Sequence, residues 1–220
     1  PTAELELPPS YPHQGFPALD YLINGIAATD QDIVAAYTTA SDAAAKRAYI
    51  TRILVNMNNL IGKVIADWKG PAREAFISNT GTAIGSSMAS LVNGYTMHYE
   101  RYIRSGKFGI PSGAMLAGTE APEKVEAFYK KDISLQLAKA AHQAAIDLFN
   151  GKNVLTGTNG NCLRSYLDAL DAKDASSGKL LSTIINEQLE VCNQQLNTLS
   201  PNLYQEVLSN NEKMKATYTS

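Results

Sequence analysis

Apolar side chains recur at three- and four-residue steps from position 50 to position 68, and this pattern most limits what the chain can fold into. Such spacing places the side chains in one stripe along about five turns of α-helix. The Gly70-Pro71 pair predicts the end of this helix, because proline interrupts helical hydrogen bonding. The stripe consists of Ile50, Ile53, Leu54, Met57, Leu60, Ile61, Val64, Ile65 and Trp68.

The rest of the chain repeats this kind of pattern, and no stretch shows the sustained alternation of a β-strand. Gly106 is expected to end a long helix and to begin a Gly/Pro-rich loop over 106–121, and Pro122 is expected to start a new helix. Long amphipathic helices joined by short loops predict an all-α, up-and-down helical bundle. Besides 50–68, helices are predicted at about 17–24, 31–39, 71–77, 82–105, from 122, from 134, and at 161–171, 178–199 and 202–217.

The first fourteen residues carry Pro1, Pro8, Pro9 and Pro12. Each proline removes a backbone donor and disfavours helical geometry at the residue before it. Residues 1–14 are therefore predicted to be an extended lead-in to a single helical domain spanning 1–220. Pro17 suits the first turn of the helix that follows, where a missing N–H costs nothing.

Charge excludes some classes of partner. Lys plus Arg number 19 against 21 for Asp plus Glu, which gives a net charge of -2 without any block of like charges. Neither a nucleic-acid footprint nor a polybasic membrane patch is indicated. Charged residues make up 18% of the chain, below the roughly 25% of typical soluble domains, and this composition is compatible with a cell-envelope protein. The chain begins with Pro1 instead of Met, so its natural start is expected to have been removed or to lie upstream.

The two cysteines, Cys162 and Cys192, fall in different predicted helical regions. An oxidising compartment would allow a disulfide between them. Two buried free thiols are the favoured alternative, because cysteine packs as a small hydrophobic residue and a helical domain of this size needs no covalent staple.

Asp20 is the first candidate for chemistry, as a carboxylate predicted in the first turn of a helix. It either stabilises the helix N-terminus or serves as a metal ligand or polar anchor of a cleft. His13, a few residues earlier, is a second candidate metal ligand. His98 and His142 lack a zinc-type spacing, and His98 is interpreted as a contact of Tyr102 at the edge of the core.

Two further regions carry candidate site residues. The predicted loop after the long helix, with Glu100 before it and Lys107 within it, is either a functional loop or a connector. Glu123 and Glu126 are predicted to share one helix face, where they hold a cation, perform acid/base work, or are simply solvated. No nucleophile motif and no phosphate-binding glycine loop is present in the sequence.

Several short segments follow one another in a recognisable order along the chain. They are Gly15-Phe16-Pro17-Ala18-Leu19-Asp20-Tyr21-Leu22, a helix ending at Trp68, Leu91-Val92-Asn93, Glu100, Lys107-Phe108-Gly109-Ile110-Pro111 and Pro122-Glu123-Lys124-Val125-Glu126-Ala127-Phe128-Tyr129. This order resembles the imelysin-like family, also called insulin-cleaving membrane protease-like. The family motif reads Gly-x-His-x-x-Glu, and Gly15 matches the glycine, while Pro17 and Asp20 stand at the histidine and glutamate positions.

The resemblance implies two up-and-down four-helix bundles with a cleft between them, in a bacterial cell-envelope protein of iron or haem uptake. The implied location is the periplasm or the outer membrane, reached through a lipid anchor outside this chain. The resemblance also implies that the chain is the C-terminal two-thirds of the family domain, so we expect an exposed apolar face where the family's N-terminal helices would pack. Gly15, Pro17, Asp20, Glu100, Lys107 and Glu126 are the implied cleft residues.

Proline cannot ligate a metal, whereas a neutral imidazole is a good ligand. The leading hypothesis is therefore a non-catalytic protein with a binding or accessory role in iron or haem uptake, whose partners are other components of that uptake. One alternative is a metallopeptidase-like enzyme that uses Asp20 in a distributed metal site. The other is a helical module that docks a partner. The spacing of residues identifies no cofactor and leaves open a divalent metal, iron or haem.

Overall fold

A computed structural model of the chain describes Leu5 and residues 8–220. Among these residues the secondary structure is helical, with isolated β-bridges at Lys152–Asn159 and Lys173–Leu180. The all-α prediction is confirmed. No helix in the described part of the chain combines the length and apolar character that a membrane crossing requires. The α-helices are α1 (Gly15–Asp20), α2 (Asp30–Thr38), α3 (Ala43–Trp68), α4 (Pro71–Ser78), α5 (Ser87–His98), α6 (Ser134–Phe149), α7 (Leu163–Ala169), α8 (Leu181–Leu196) and α9 (Leu203–Thr219).

The backbone divides into two compact units. Unit 1 is Pro1–Asn93 with Ala127–Lys130, and unit 2 is Gly94–Glu126 with Lys131–Ser220. The chain thus returns to unit 1 for four residues after it has entered unit 2.

The core of unit 1 lies where α1 and the following turn pack against the first half of α3. Leu19, Leu22 and Ile53 are buried there together with Leu5. The second half of α3 is different, because every residue over 58–69 is exposed. Val64 is 61% exposed and Trp68, which contacts the ring of Phe76 at a centroid distance of 5.3 Å, is 51% exposed. The apolar stripe is therefore continuous in sequence but covered over only half of its length.

The predicted lead-in is partly wrong. Pro8–His13 forms a 3₁₀-helix instead of an extended segment, since the fixed φ of proline also suits 3₁₀ geometry. The hydroxyl of Tyr49 on α3 donates to the carbonyl of His13 at 2.6 Å, and the side chain of Gln14 donates to the Leu5 carbonyl at 2.6 Å. Apart from Leu5, the predicted lead-in before Pro8 lies outside the described residues.

Unit 2 packs α6, α8 and α9 together with a π-helix at Tyr99–Gly109 that continues directly from α5. Gly106 does not end this helix, contrary to the prediction. A glycine costs a helix only about 1 kcal/mol, and burial of Ile103 and Phe108 on either side of Gly106 holds the segment in place. Helical geometry therefore persists to Gly109, and the predicted loop is shorter than 106–121.

The prediction of a helix that starts at Pro122 is also wrong. Only Pro122–Lys124 is helical, as one 3₁₀ turn. Ala127 and Lys131 then adopt positive φ values of 54° and 62°, and a run of α-helix cannot contain such residues. Glu123 and Glu126 consequently share no α-helical face.

Candidate functional site

The signature segment starts a short helix through backbone geometry. Gln14 is extended, and Gly15 follows at φ 74°, a conformation that glycine adopts without steric cost. Pro17 lies in the first turn of α1, where no intrahelical acceptor awaits its missing N–H. Gly15 and Pro17 therefore determine how the chain turns into α1, and neither residue contributes a side-chain donor or acceptor.

Asp20 lies at the end of α1, not in its first turn as predicted, because the helix already begins at Gly15. Its Oδ2 accepts the backbone N–H of Tyr129 at 2.8 Å, and its Oδ1 accepts the backbone N–H of Lys130 at 2.9 Å. The side-chain amide of Asn24 donates to Oδ1 as well, at 3.1 Å. The prediction that Asp20 stabilises a helix N-terminus is thus wrong. Its carboxylate is instead a polar anchor for a backbone segment that is distant in sequence.

The ring of Tyr129 gives the same anchor an apolar component. It meets the ring of Tyr21 edge to face at a centroid distance of 5.1 Å. It also lies against Gly25, at the end of the π-helical turn Tyr21–Gly25, so closely that a Cβ on Gly25 would fall 2.1 Å from the ring. Asp20 and Gly25 therefore hold the backbone and the side chain of Tyr129 at the two ends of one turn.

The motif offers one carboxylate and no other side-chain ligand for a metal ion. Pro17 has no ligating side-chain atom, and both carboxylate oxygens of Asp20 accept hydrogen bonds from amide groups. His13 lies on the 3₁₀-helix with its carbonyl bound to Tyr49. Within the part of the chain that the structure describes, no three His, Cys, Asp or Glu residues are grouped as a metal site would require.

Glu100 belongs to unit 2, where it forms a paired contact with Arg104 one turn later. The guanidinium donates from Nε to Oε2 at 2.5 Å and from Nη2 to Oε1 at 2.7 Å, and the Ser105 hydroxyl adds a bond of 3.1 Å. The hydrogen bonds from Arg104 lower the pKa of Glu100, and Ser105 contributes in the same direction. Arg104 also donates to the carbonyl of Tyr218 at 2.8 Å and lies over its ring.

Lys107 and Glu126 form a second ion pair of unit 2, in which the Lys107 ammonium donates to Glu126 Oε2. Lys107 is largely buried, while Glu126 is exposed. The absence of an α-helix after Pro122 explains this pairing, since Glu126 lies beyond the single 3₁₀ turn instead of beside Glu123. Two of the candidates proposed from the sequence are therefore in direct contact.

The candidates thus fall into separate groups. Gly15, Pro17 and Asp20 belong to unit 1, whereas Glu100, Lys107 and Glu126 belong to unit 2. Sequence reasoning missed Arg104, although its spacing of four residues from Glu100 is a recognisable helical ion-pair signal. It also missed Tyr129 as the partner of the motif, and no sequence pattern indicates a backbone N–H as the partner of a carboxylate 109 residues away.

Both cysteines are free thiols and partly exposed. The expectation of unpaired cysteines is confirmed, and that of full burial is wrong. Cys162 is the N-cap of α7, where its sulfur accepts the backbone N–H of Ser165 at 3.5 Å. Cys192 lies on α8 beside the hydroxyl of Tyr99. His98 contacts the ring of Tyr102 as predicted, at a centroid distance of 5.6 Å. Both residues are exposed, so the predicted placement of this contact at the edge of the core is wrong.

These features define an all-helical protein in which a Gly-x-Pro-x-x-Asp segment anchors a distant backbone. Residues 2–219 match the family model described as imelysin, peptidase M75. The chain therefore belongs to the imelysin family. This confirms the resemblance inferred from the order of its short segments. Searches of curated proteins and of solved structures found no match.

Proposed function

We propose that the chain is a non-catalytic cell-envelope protein of the imelysin family with a binding or accessory role in iron or haem uptake. Family membership supports the envelope location and the association with iron. The state of Asp20 supports the non-catalytic role. Its carboxylate, at the motif position of the glutamate, is bound to the chain's own backbone at Tyr129 and Lys130.

This bond pattern carries the proposal. A carboxylate that ligates a metal or activates water needs a lone pair directed at that group. Each Asp20 oxygen accepts a backbone N–H within 2.9 Å, so the carboxylate is held by the chain's own backbone, and the Pro17 side chain supplies no base or ligand beside it. The motif therefore connects two segments of unit 1, α1 and Ala127–Lys130, by hydrogen bonds.

The test compares wild-type protein, purified without chelator, with Asp20→Asn and the control Asp67→Asn. Asp67 is an exposed carboxylate near the end of α3. Metal content is measured by mass spectrometry, and peptidase activity with an unfolded protein substrate. We expect no cleavage and no metal that depends on Asp20. Stoichiometric metal and cleavage lost in Asp20→Asn but kept in Asp67→Asn would establish the metallopeptidase alternative.

The proposed role in iron uptake has its own measurement. Wild-type protein is titrated with haem and, separately, with ferric citrate, and binding is followed by absorption and by calorimetry. We expect saturable binding of one of these iron complexes. Failure of both to bind would overturn the iron role and would favour the partner-docking alternative.

One observation favours that alternative specifically. The second half of α3, with α4 after it, presents apolar side chains that no described residue covers, including Ile61 and Val64, which are 56% and 61% exposed. Large exposed apolar surfaces mark interaction sites. An amphipathic helix of a partner would cover this stripe in the helix-in-groove manner. Val64→Lys should abolish such docking and leave the fold intact, because Val64 is exposed.

A further inference from the structure

Unit 2 contains a cavity of about 360 Å³ between the end of α5, the π-helix, α6, α8 and the end of α9. This size lies within the range of about 300–1,000 Å³ that is typical of small-molecule sites. Its wall is mainly apolar. The apolar part comprises Ile103, Phe108, Ile185, Leu189 and Leu196, and Tyr95 and Tyr99 add two aromatic rings.

The charged side chains in the lining are Glu100 and Arg104, and they neutralise each other. Their two hydrogen bonds of 2.5 and 2.7 Å form a paired contact between guanidinium and carboxylate. A pair of this kind presents little net field to a ligand, because the two unit charges cancel at short range. An anionic ligand would have to compete with Glu100 for Arg104, and a cationic ligand would have to compete with Arg104 for Glu100.

The histidine in the lining is also neutral. His142 is 2% exposed, and its Nε2 lies 3.0 Å from the carbonyl of Leu189. A carbonyl only accepts, so Nε2 carries the proton and Nδ1 accepts from the hydroxyl of Tyr99 at 2.9 Å. Burial lowers the pKa of His142 and raises that of Tyr99. Both ring nitrogens are engaged, so the imidazole is free neither to ligate a metal nor to bind an anion.

We propose that this cavity is a binding site for a neutral, mainly apolar small molecule. The apolar wall contributes the favourable burial, and the compensated Glu100–Arg104 pair selects against charged ligands, because desolvating an unpaired charge is costly. The site goes beyond the proposed role in iron uptake, and its test contains no iron. The two proposals can therefore fail independently.

The probe is N-phenyl-1-naphthylamine, a neutral aromatic molecule that fluoresces in apolar surroundings. Its sulfonated relative 1-anilinonaphthalene-8-sulfonate is the charged comparison. We expect saturable binding of one neutral probe per chain and weaker binding of the sulfonate. Equal or tighter binding of the sulfonate would overturn the argument from charge.

Two variants of α8 locate the probe. Cys192→Phe adds a ring inside the cavity, whereas Val191→Phe adds the same ring at the adjacent, exposed position outside its lining. We expect Cys192→Phe to weaken binding by about tenfold or more, because the added ring occupies space that the probe needs. Val191→Phe should bind like wild type. Unchanged binding by a folded Cys192→Phe protein would place the probe elsewhere.

A measurement on the wild-type chain covers the case in which Cys192→Phe does not fold. N-ethylmaleimide modifies both partly exposed thiols, and peptide mass spectrometry reads their rates separately. A saturating neutral probe should slow modification of Cys192 about tenfold, by limiting access, and leave Cys162 unchanged. No protection of Cys192, or equal protection of both thiols, would refute the site.

Discussion

The carboxylate of Asp20 accepts the backbone N–H of Tyr129 at 2.8 Å across 109 positions of sequence. This contact joins the signature segment to the four residues, Ala127–Lys130, with which the chain returns to unit 1. Ala127 has a positive φ of 54°, which is unfavourable for a residue with a side chain. We infer that the anchor at Asp20 offsets this backbone strain.

Asp20→Ala should therefore destabilise unit 1. Two N–H groups lose a charged acceptor, and hydrogen bonds to charged groups contribute about 1.5–3 kcal/mol when they are well formed. Water reaches part of the site, so we expect a loss of about 1–2 kcal/mol. Urea denaturation gives the value, with Asp67→Ala as the control. A loss no larger than that of the control would show that Asp20 does not stabilise the returning segment.

Gly25→Ala tests the aromatic half of the anchor. A methyl group there would fall 2.1 Å from the Tyr129 ring, so the ring or the turn has to move. Overpacking of this kind costs typically about 1–3 kcal/mol. Tyr129→Ala removes the ring that a methyl group at position 25 would meet. In that background, Gly25→Ala should therefore lower the free energy of unfolding much less. A double-mutant cycle measures the coupling, and additive effects would contradict the close contact.

Periodicity predicted most of the helices, because a 3.6-residue repeat is a local property that tertiary contacts rarely change. It failed after Pro122, where Ala127 and Lys131 adopt left-handed backbone conformations. No local pattern distinguishes an alanine in that conformation from one in a helix. Asp20, far away in sequence, bonds to Tyr129 and Lys130 between these two residues, and such a contact has no local sequence signal.

The same limit applies to the candidate site. Its residues could be named from the order of the segments, but their partners could not. Lys107 was predicted in a loop and lies in the π-helix, whereas Glu126 was predicted in a helix and lies outside one, so their ion pair could not be foreseen. Glu100 with Arg104 was visible as a helical spacing. Amide partners and a ring packed on a glycine leave no charge or spacing signal in the sequence.

The two halves of α3 should respond differently when an apolar side chain is replaced by alanine. Ile53 is 0% exposed and Val64 is 61% exposed on the same helix. Ile53→Ala creates a cavity in the core of unit 1 and should cost about 2–5 kcal/mol. Val64→Ala should change stability by no more than about 0.5 kcal/mol. Urea denaturation of both variants checks this, and a large loss at Val64 would show that its face is covered in solution.

Acidification should destabilise unit 2 through His142. Burial lowers the pKa of His142 below its ordinary value of 6.5, against the opposing effects of the Leu189 carbonyl and Glu190. The unfolded chain then binds a proton more readily than the folded one. The stabilising contribution is full above about pH 6.5 and is lost as the pH falls below it, by at most about 1.4 kcal/mol per pH unit.

His142→Gln retains a donor for the Leu189 carbonyl but does not titrate. Its free energy of unfolding should therefore fall less than that of wild type between pH 7 and pH 5, a window that follows from the ordinary histidine pKa. Urea titrations at both pH values give the comparison. His98→Gln, at an exposed histidine of the same unit, is the matched control for the loss of a histidine. Equal slopes for wild type and His142→Gln would show that the His142–Tyr99 pair does not govern the acid response.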